Sequence, residues 1–461
     1  MNHSVQTPTN IDTPPRSDAN DAAFAPRGHI GRVVAGSLAA GLVAGALLAF
    51  APFIPASETG ATGAVLCGFA LGWALLALLS VRYTDQPQRW ATVPAAFMGL
   101  GGLLLIGFGS TAQSVLSWVW PPALLTLVVW MVVQARRQVR STAARVLLYP
   151  VFALLAVAAV GGGVETVLEA HDAHQYPMAG QLVDVDGHGM HLSCTGTGSP
   201  TVVLEPGAGD MASTMAWIAP AVASDTRVCV YDRPGRGWSD PSAAPQDGTR
   251  VATDLHTLLH SAHVPGPYVL AGHSFGGLYV MAYAAHFPAD VAGMVLIDST
   301  APTTAGPGAV APAVRNDILV RASALASVVS RVGLGRLYAM VSYGTLPSPA
   351  LQEVRASIST PATLQSSIDE YAQGNTSMQE AAELRTLGDT PLFVLTAGSG
   401  SAEDWFAKQD KLARLSTNSA HHVVDGATHE MLVADETPAA STAAAIREVV
   451  SSVRTGTPLA R

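Results

Sequence analysis

The sequence predicts a chain in two parts: about five membrane-spanning helices before roughly residue 170, then an α/β domain with a mostly parallel sheet of eight strands. Three observations predict it. Charged side chains make up only 13% of the 461 residues, sparse before Arg145 and frequent after about residue 225. Apolar runs recur near the N-terminus at about 20 residues each, the length that carries a helix across ~30 Å of hydrocarbon. From Gln181 onward, short β-branched runs alternate with helical stretches.

Residues 1–28 are rich in Pro, Asn, Asp, Ser and Thr, with too little apolar surface to offset the entropy of ordering them, and read as a disordered tail. A membrane region follows over 29–166. Its apolar runs are Val33–Pro52, Thr62–Val81, Val93–Thr111, Val115–Val133 and Val146–Val164. A single cleaved signal peptide is not followed by four more such runs. The third run is Gly-rich and the fourth carries Pro121 and Pro122, which makes these two the weakest spans.

Positive charge orients the runs. Arg16, Arg27 and Arg32 flank the first, the second loop holds Arg82 and Arg89, and the fourth holds Arg136, Arg137, Arg140 and Arg145. The first and third loops have no Lys or Arg, and beyond the last run Glu165, Glu169 and Asp172 precede the next basic residue, Arg227. The positive-inside rule then puts the N-terminus in the cytoplasm and residues after about 165 across the plasma or inner membrane. Gly41 with Gly45, and Gly68 with Gly72, have the spacing of closely packed helices, although an Ala/Gly-rich composition is the simpler account. No run has an interior Asp, Glu, Lys or Arg, so the expectation is anchoring rather than transport.

The net charge of −9 and the lack of a Lys/Arg cluster exclude a nucleic-acid partner. Three cysteines are too few for a disulfide scaffold, and no Cys/His spacing suggests zinc. His171, Asp172 and His174 lack an evident further ligand and read as a solvated juxtamembrane face. Neither metal nor cofactor is expected, and the pattern does not encode an oligomeric state.

Predicted strands are Gln181–Val185, Met190–Cys194, Thr201–Glu205, Arg227–Tyr231, Pro267–Ala271, Gly293–Ile297, Pro391–Thr396 and His421–Val424, the first two forming a hairpin around Asp186 and Gly187. Strands vanish at about 301–388, where Pro and Gly punctuate apolar helical stretches such as Ile318–Val329. An insertion there sits over the strand ends as a lid.

Gly272-His273-Ser274-Phe275-Gly276 matches Gly-x-Ser-x-Gly between a predicted strand and the helix-forming stretch Leu278–His286. A sharp strand-to-helix turn exposes the Ser274 hydroxyl, which needs a base to become nucleophilic. His429 follows the last strand in Asp425-Gly-Ala-Thr-His429, whereas His421 and His422 lie within that strand and face the sheet surfaces. Two positions compete for the orienting acid: Asp298, at the end of Met-Val-Leu-Ile, and Glu403 or Asp404, beyond Pro-Leu-Phe-Val-Leu-Thr. Asp298 is preferred because it stands directly at a strand end, although such an acid also serves simply to bond backbone amides. The backbone of Phe275, and of Ala208 in Glu205-Pro-Gly-Ala-Gly, are the expected oxyanion donors.

Through the elbow, the Glu-Pro-Gly-Ala-Gly loop, Tyr231-Asp-Arg-Pro-Gly-Arg-Gly-Trp-Ser-Asp240 and the late His429, the chain resembles the α/β-hydrolase superfamily over about residues 178–455. The resemblance implies an α/β-hydrolase fold and a serine hydrolase that cleaves an ester or related acyl bond. It implies that Tyr231–Asp240 is scaffold. It argues against epoxide opening and dehalogenation, whose enzymes use an Asp where Ser274 stands. The implied strand order makes Cys194 and Cys229 neighbours, either as a disulfide or as two buried thiols. His-Gly before the oxyanion loop and a clear Asp after the seventh strand are missing from the pattern. With an apolar lid and a membrane tether, the expected partners are an apolar acyl substrate and the lipid bilayer. The alternative is a catalytically silent hydrolase-fold receptor or binding module.

Overall fold

The computed structural model describes residues 29–241, 244–302, 312–340, 345–400 and 402–460. The expected tail at 1–28, and the stretches 303–311 and 341–344 of the expected lid, lie outside the described residues.

Four helices open the chain: α1 (Ile30–Ala49), α2 (Glu58–Tyr83), α3 (Thr92–Gln138) and α4 (Thr142–Gln175). Ser57 caps α2 by accepting from Gly60 N–H at 3.2 Å. Among the described residues these four are long and apolar enough to cross a membrane, against the five expected. The difference lies in how the elements divide: the third and fourth apolar runs are the two helical legs of α3, which meet at one non-helical residue, Gly109 (φ 52°, ψ −129°), so the four elements still make five legs. The chain doubles back there without a loop. Phe97 and Trp120 stack with ring centres 4.0 Å apart, whereas a straight helix would separate them by about 35 Å.

The helices pack around Trp73, Trp90 and Phe152. Gly41, Gly45, Gly68 and Gly72 form the contact between α1 and α2: a Cβ on Gly68 would lie 2.5 Å from the Gly45 backbone. Close approach is therefore the use of these glycines, not composition alone.

The second part is an eight-stranded sheet of order β1-β2-β4-β3-β5-β6-β7-β8. Its elements run β1 (Gln181–Val185), β2 (His188–Thr195), β3 (Thr201–Glu205), α5 (Ile218–Ala223), β4 (Val228–Tyr231), α6 (Gly248–Ser261), β5 (Tyr268–His273), α7 (Gly276–His286) and β6 (Val291–Ile297). After the lid follow β7, α12, β8 and two last helices. β1 and β2 form the expected hairpin, with Asp186 and Gly187 at positive φ, and β2 meets β4 antiparallel. The other pairings are parallel. Cys194 and Cys229 face each other in the β2–β4 register and are joined as a disulfide; Cys67 is free.

The lid comprises α8 (Pro312–Ser327), a single-turn stretch Val328–Val332, α9 (Leu334–Ala339), α10 (Ala350–Ile358) and α11 (Pro361–Ala381). β7 (Leu392–Ala397), α12 (Glu403–Ala413), β8 (Ser419–Val424), α13 (Met431–Ala434) and α14 (Glu436–Thr455) complete the fold. Helices α6, α7 and α12 cover one face of the sheet, and α5, α13 and α14 the other. Central strands are buried on both faces: every residue of β5 is buried, each large aliphatic side chain contributing ~1.5–3 kcal/mol.

Candidate active site

β5 ends at His273 and α7 begins at Gly276, leaving Ser274 and Phe275 for the turn. Ser274 adopts φ 55°, a left-handed conformation that costs a non-glycine residue of order 1 kcal/mol. Backbone bonds hold it there: its N–H donates to Ile297 O (3.1 Å), and its carbonyl accepts from Gly277 (3.1 Å) and Thr300 (3.0 Å). The flanking glycines are required by contact. A Cβ on Gly272 would lie 2.5 Å from Gly276 O, and one on Gly276 would lie 2.7 Å from Pro206 O.

Parallel pairing of β3, β5 and β6 aligns Glu205 with Gly272 and His273 with Ile297, so the loop after β3, Ser274 and Asp298 gather at one carboxyl edge of the sheet. Asp298, itself at φ 43°, is buried. Its Oδ2 lies 2.6 Å from His429 Nδ1, while Oδ1 accepts from Trp405 Nε1 (2.7 Å) and Ala397 N–H (3.1 Å). Burial pushes its pKa up, but these three bonds outweigh burial and hold the carboxyl below its usual range.

The His429 side chain remains 40% exposed and lies beside the ring of His273, centroids 4.6 Å apart. With Asp298 at Nδ1, the neutral tautomer carries its proton there and leaves Nε2 as an acceptor. His273, fully buried, is pushed down to about 3 by burial and the neighbouring His429, and is therefore neutral. Its Nε2 donates to His429 O at 3.1 Å.

The other candidates are engaged elsewhere. Asp404 is exposed on α12 and pairs with Lys408 at 2.6 Å; the side chain of Glu403 lies outside the described residues. His421 bonds Thr396 and Asp410, and His422 packs edge-on against Phe393.

In the loop after β3, Gly209 N–H donates to Glu370 (2.9 Å) and Asp210 N–H to Gly207 O (3.1 Å). The N–H groups of Ala208 and Phe275 have no acceptor among the described residues. Gly207 closes over the elbow: a Cβ there would lie 3.3 Å from Ser274 Cβ.

Beneath this loop is a buried charge cluster that sequence reasoning missed. Arg233 bonds Glu205, Glu370 Oε1 (2.6 Å) and the carbonyls of Pro206 (2.9 Å) and Gly207 (2.6 Å). Arg236 bonds Glu370 Oε2 (2.6 Å) and Gly209 O (3.0 Å), and Tyr231 donates to Glu205. Burial pushes Glu205 up to about 7, only partly offset by Arg233 and Tyr231; Glu370, facing two guanidiniums, is held below its usual range despite burial. Glu370 belongs to α11, which also lies over the elbow, Tyr371 meeting the Phe275 ring at 5.6 Å. Asp232, in the same segment, bonds His191 (2.7 Å) and Ala212 N–H (2.7 Å). Segment 231–240 thus supports the loop.

Among the described residues one group has metal-ligand spacing: His256 and His260, one turn apart on α6, lie 3.5 and 3.7 Å from Asp290. Asp290 immediately precedes β6, at the sheet edge opposite Ser274. Asp172 pairs with Arg336 instead of joining His171 and His174.

This fold and elbow are those of an alpha/beta-hydrolase domain. The chain belongs to the alpha/beta hydrolase fold family, whose profile matches residues 200–435, just over half of the 461. It is 28% identical over 224 residues to an uncharacterized protein of Schizosaccharomyces pombe, covering 48% of this chain and 41% of that one. It is 35% identical over 104 residues to an uncharacterized vacuolar membrane protein of Saccharomyces cerevisiae, 22% of this chain and 16% of the relative. The chain thus spans less than half the length of these curated relatives. Among solved structures it is similar to a thermophilic esterase from Thermogutta terrifontis (22% identity, TM-score 0.44, 60% of this chain and 98% of that one). It is also similar to the enol-lactonase from Burkholderia xenovorans (17%, TM-score 0.45, 58% and 98%). Four apolar helical elements long enough to cross a bilayer mark the chain as a membrane protein.

Proposed function

We propose that this protein is a membrane-anchored serine hydrolase that cleaves an ester or related acyl bond outside the cytoplasm. The observation that carries the reading is the left-handed Ser274 at the strand–helix junction, next in the chain to His273, whose ring lies 4.6 Å from the imidazole that a buried carboxylate holds at 2.6 Å. Ser274 Oγ attacks the acyl carbon while His429 Nε2 takes its proton. The tetrahedral oxyanion is met by the N–H groups of Ala208 and Phe275, each such donor worth ~3–4 kcal/mol. Collapse expels the alcohol, which takes the proton back from His429, and leaves an acyl-serine. Water then attacks, again deprotonated by His429, to release the acid and restore Ser274. Asp298 holds the imidazole and stabilises its charged form.

The outward placement is supported by charge. Arg32, Arg82, Arg89, Arg136, Arg137, Arg140 and Arg145 flank one end of the helical bundle, while Glu58, Glu165, Glu169 and Asp172 mark the end that adjoins the lid. The Cys194–Cys229 disulfide fits an oxidising compartment. An apolar acyl compound is the favoured substrate class, because the lid stands beside the bilayer.

Labelling of membranes with a fluorophosphonate, comparing the native chain with Ser274→Ala and His429→Ala at matched expression, tests this reading. Labelling of the native chain alone supports it. A folded native chain that resists the probe would point instead to a catalytically silent binding module.

A further inference from the structure

We infer that the outer edge of the lid, at Leu334, Leu337, Tyr338 and Met340, is a lipid-binding element immersed in the outer membrane interface. This rests on the reading of α1–α4 as membrane-spanning.

The depth of this edge can be measured along α4. Its exposed apolar side chains run from Val146 through Leu154, Val157, Val160 and Val164 to Val167. At 1.5 Å per residue that band is about 32 Å long, the thickness of a hydrocarbon core. The hydrocarbon therefore ends near Val167.

The lid is docked across that boundary. A Cβ on Gly161 would strike the carbonyl of Val332, and one on Gly162 would lie 3.3 Å from the carbonyl of Arg331. The glycines of α4 are the groove that admits the lid backbone. Arg336 then bonds Glu165 (2.9 Å) and Asp172 (2.9 Å), and Arg331 bonds Glu58 (3.2 Å) and Glu169 (3.5 Å). Further along the lid, Arg321 donates to the carbonyls of Ala51 (2.9 Å) and Ile54 (2.8 Å) in the α1–α2 connection. Residues 331–336 thus sit level with 161–172 of α4.

What this segment turns outward is apolar. Leu334, Leu337, Tyr338 and Met340 are 52–66% exposed, while Arg336 points into the bundle. Water gives such a cluster nothing, whereas a bilayer interface favours aliphatic side chains with an aromatic hydroxyl at headgroup level. The patch lies level with Val164 and Val167, the exposed apolar end of α4, so its occupant is the same one: the acyl chains and glycerol backbone of the outer leaflet. The same lid carries α11, whose Glu370 bonds the loop after β3 and whose Tyr371 meets Phe275. An element in contact with lipid is thereby tied to the elbow.

The test places an environment-sensitive NBD probe on single cysteines in a Cys67→Ser chain, reconstituted whole in phosphatidylcholine nanodiscs with or without nitroxide-labelled lipid. Leu337→Cys is the test position. Val157→Cys, on the apolar band, reports insertion, and Glu448→Cys, on α14 towards the sheet edge opposite the lid, reports water. Quenching by nitroxide lipid should be roughly twofold or more stronger at 337 than at 448, with a blue-shifted emission, because interfacial residues sit within the headgroup and upper acyl region. Quenching at 337 equal to that at 448 would overturn the inference, as would an unquenched probe at 157, which removes the spanning reading beneath it. Fluorophosphonate labelling of the same preparations separates the two proposals. Labelled protein with an unquenched 337 loses only the lipid contact, and quenched but unlabelled protein loses only the hydrolase.

Discussion

Two charged groupings lie a short distance apart at the carboxyl edge of the sheet, and they use the same bond lengths for opposite ends. Asp298 meets His429 at 2.6 Å, and Glu370 meets Arg233 and Arg236 at 2.6 Å each. The difference is closure. In the first pair the imidazole is 40% exposed, and the nitrogen facing away from Asp298 is left to accept a proton. In the second, Arg233, Arg236, Glu205 and Glu370 are all buried, and their bonds end on loop carbonyls and on Gly209 N–H. A short ion pair is thus no signature of chemistry. A carboxylate that holds one side of a half-open histidine is a different device from one sealed among guanidiniums, which sets the shape of the loop.

That contrast is broken most sharply at Asp298. Asp298→Asn keeps the shape but reverses the preferred tautomer of His429, and turnover of an acyl ester should fall about 10⁴-fold with the fold intact. A loss under about tenfold would move the orienting role to Glu403. The next largest effect is on stability. Arg233→Met removes the guanidinium that Glu205 and Glu370 share, leaving Glu205 with Tyr231 and Glu370 with Arg236, and breaking such a buried network costs about 3–5 kcal/mol. Its thermal unfolding midpoint should fall well below that of Asp298→Asn; equal midpoints would mean that the two groupings are not different in kind.

The sequence exposed the first grouping far better than the second, and the reason is chain distance. Ser274 and Asp298 stand at strand ends and His429 follows the last strand, so each is marked by a local pattern of β-branched residues and glycine. Those patterns also yielded all eight strands, the buried parallel ones as unbroken apolar runs and the antiparallel β1–β2 pair by its turn at Asp186 and Gly187. Glu370 has no such mark. It is one acid in a polar helix, 137 residues from Arg233, and only the folded lid brings them together. Trp405 is similar: nothing around it announces a bond to Asp298 107 residues away. Only the division between the third and fourth spans was placed wrongly, and for a local reason: Gly109 reverses α3 within one residue and leaves no polar loop to see, so the two runs fold as the antiparallel legs of one element. The Gly68–Gly45 contact was undervalued because glycine spacing in a glycine-rich stretch carries little information until the helices are placed.

The smallest expected effect sharpens the comparison through pH. Glu205, pushed up to about 7 by burial, binds a proton in the folded chain at pH values where an unfolded Glu, near 4.3, has lost it. Its contribution to stability is fully present below about pH 4.3 and is lost as pH rises through 7. His273 acts in the opposite sense. Burial holds it at about 3, so the folded chain stays neutral where an unfolded His, near 6.5, is charged. Its contribution is present above pH 6.5 and is lost as pH falls towards 3. The two slopes oppose each other between pH 5 and 7, which leaves the native chain with a shallow profile from this pair. Glu205→Gln removes only the first. Its unfolding midpoint relative to the native chain should therefore climb as pH is raised from 5 to 8, by the equivalent of about 2 kcal/mol. A difference that stays constant with pH would mean that Glu205 is ionised throughout, and that the cluster under the loop, like the pair at Asp298, keeps its carboxylates charged at neutral pH.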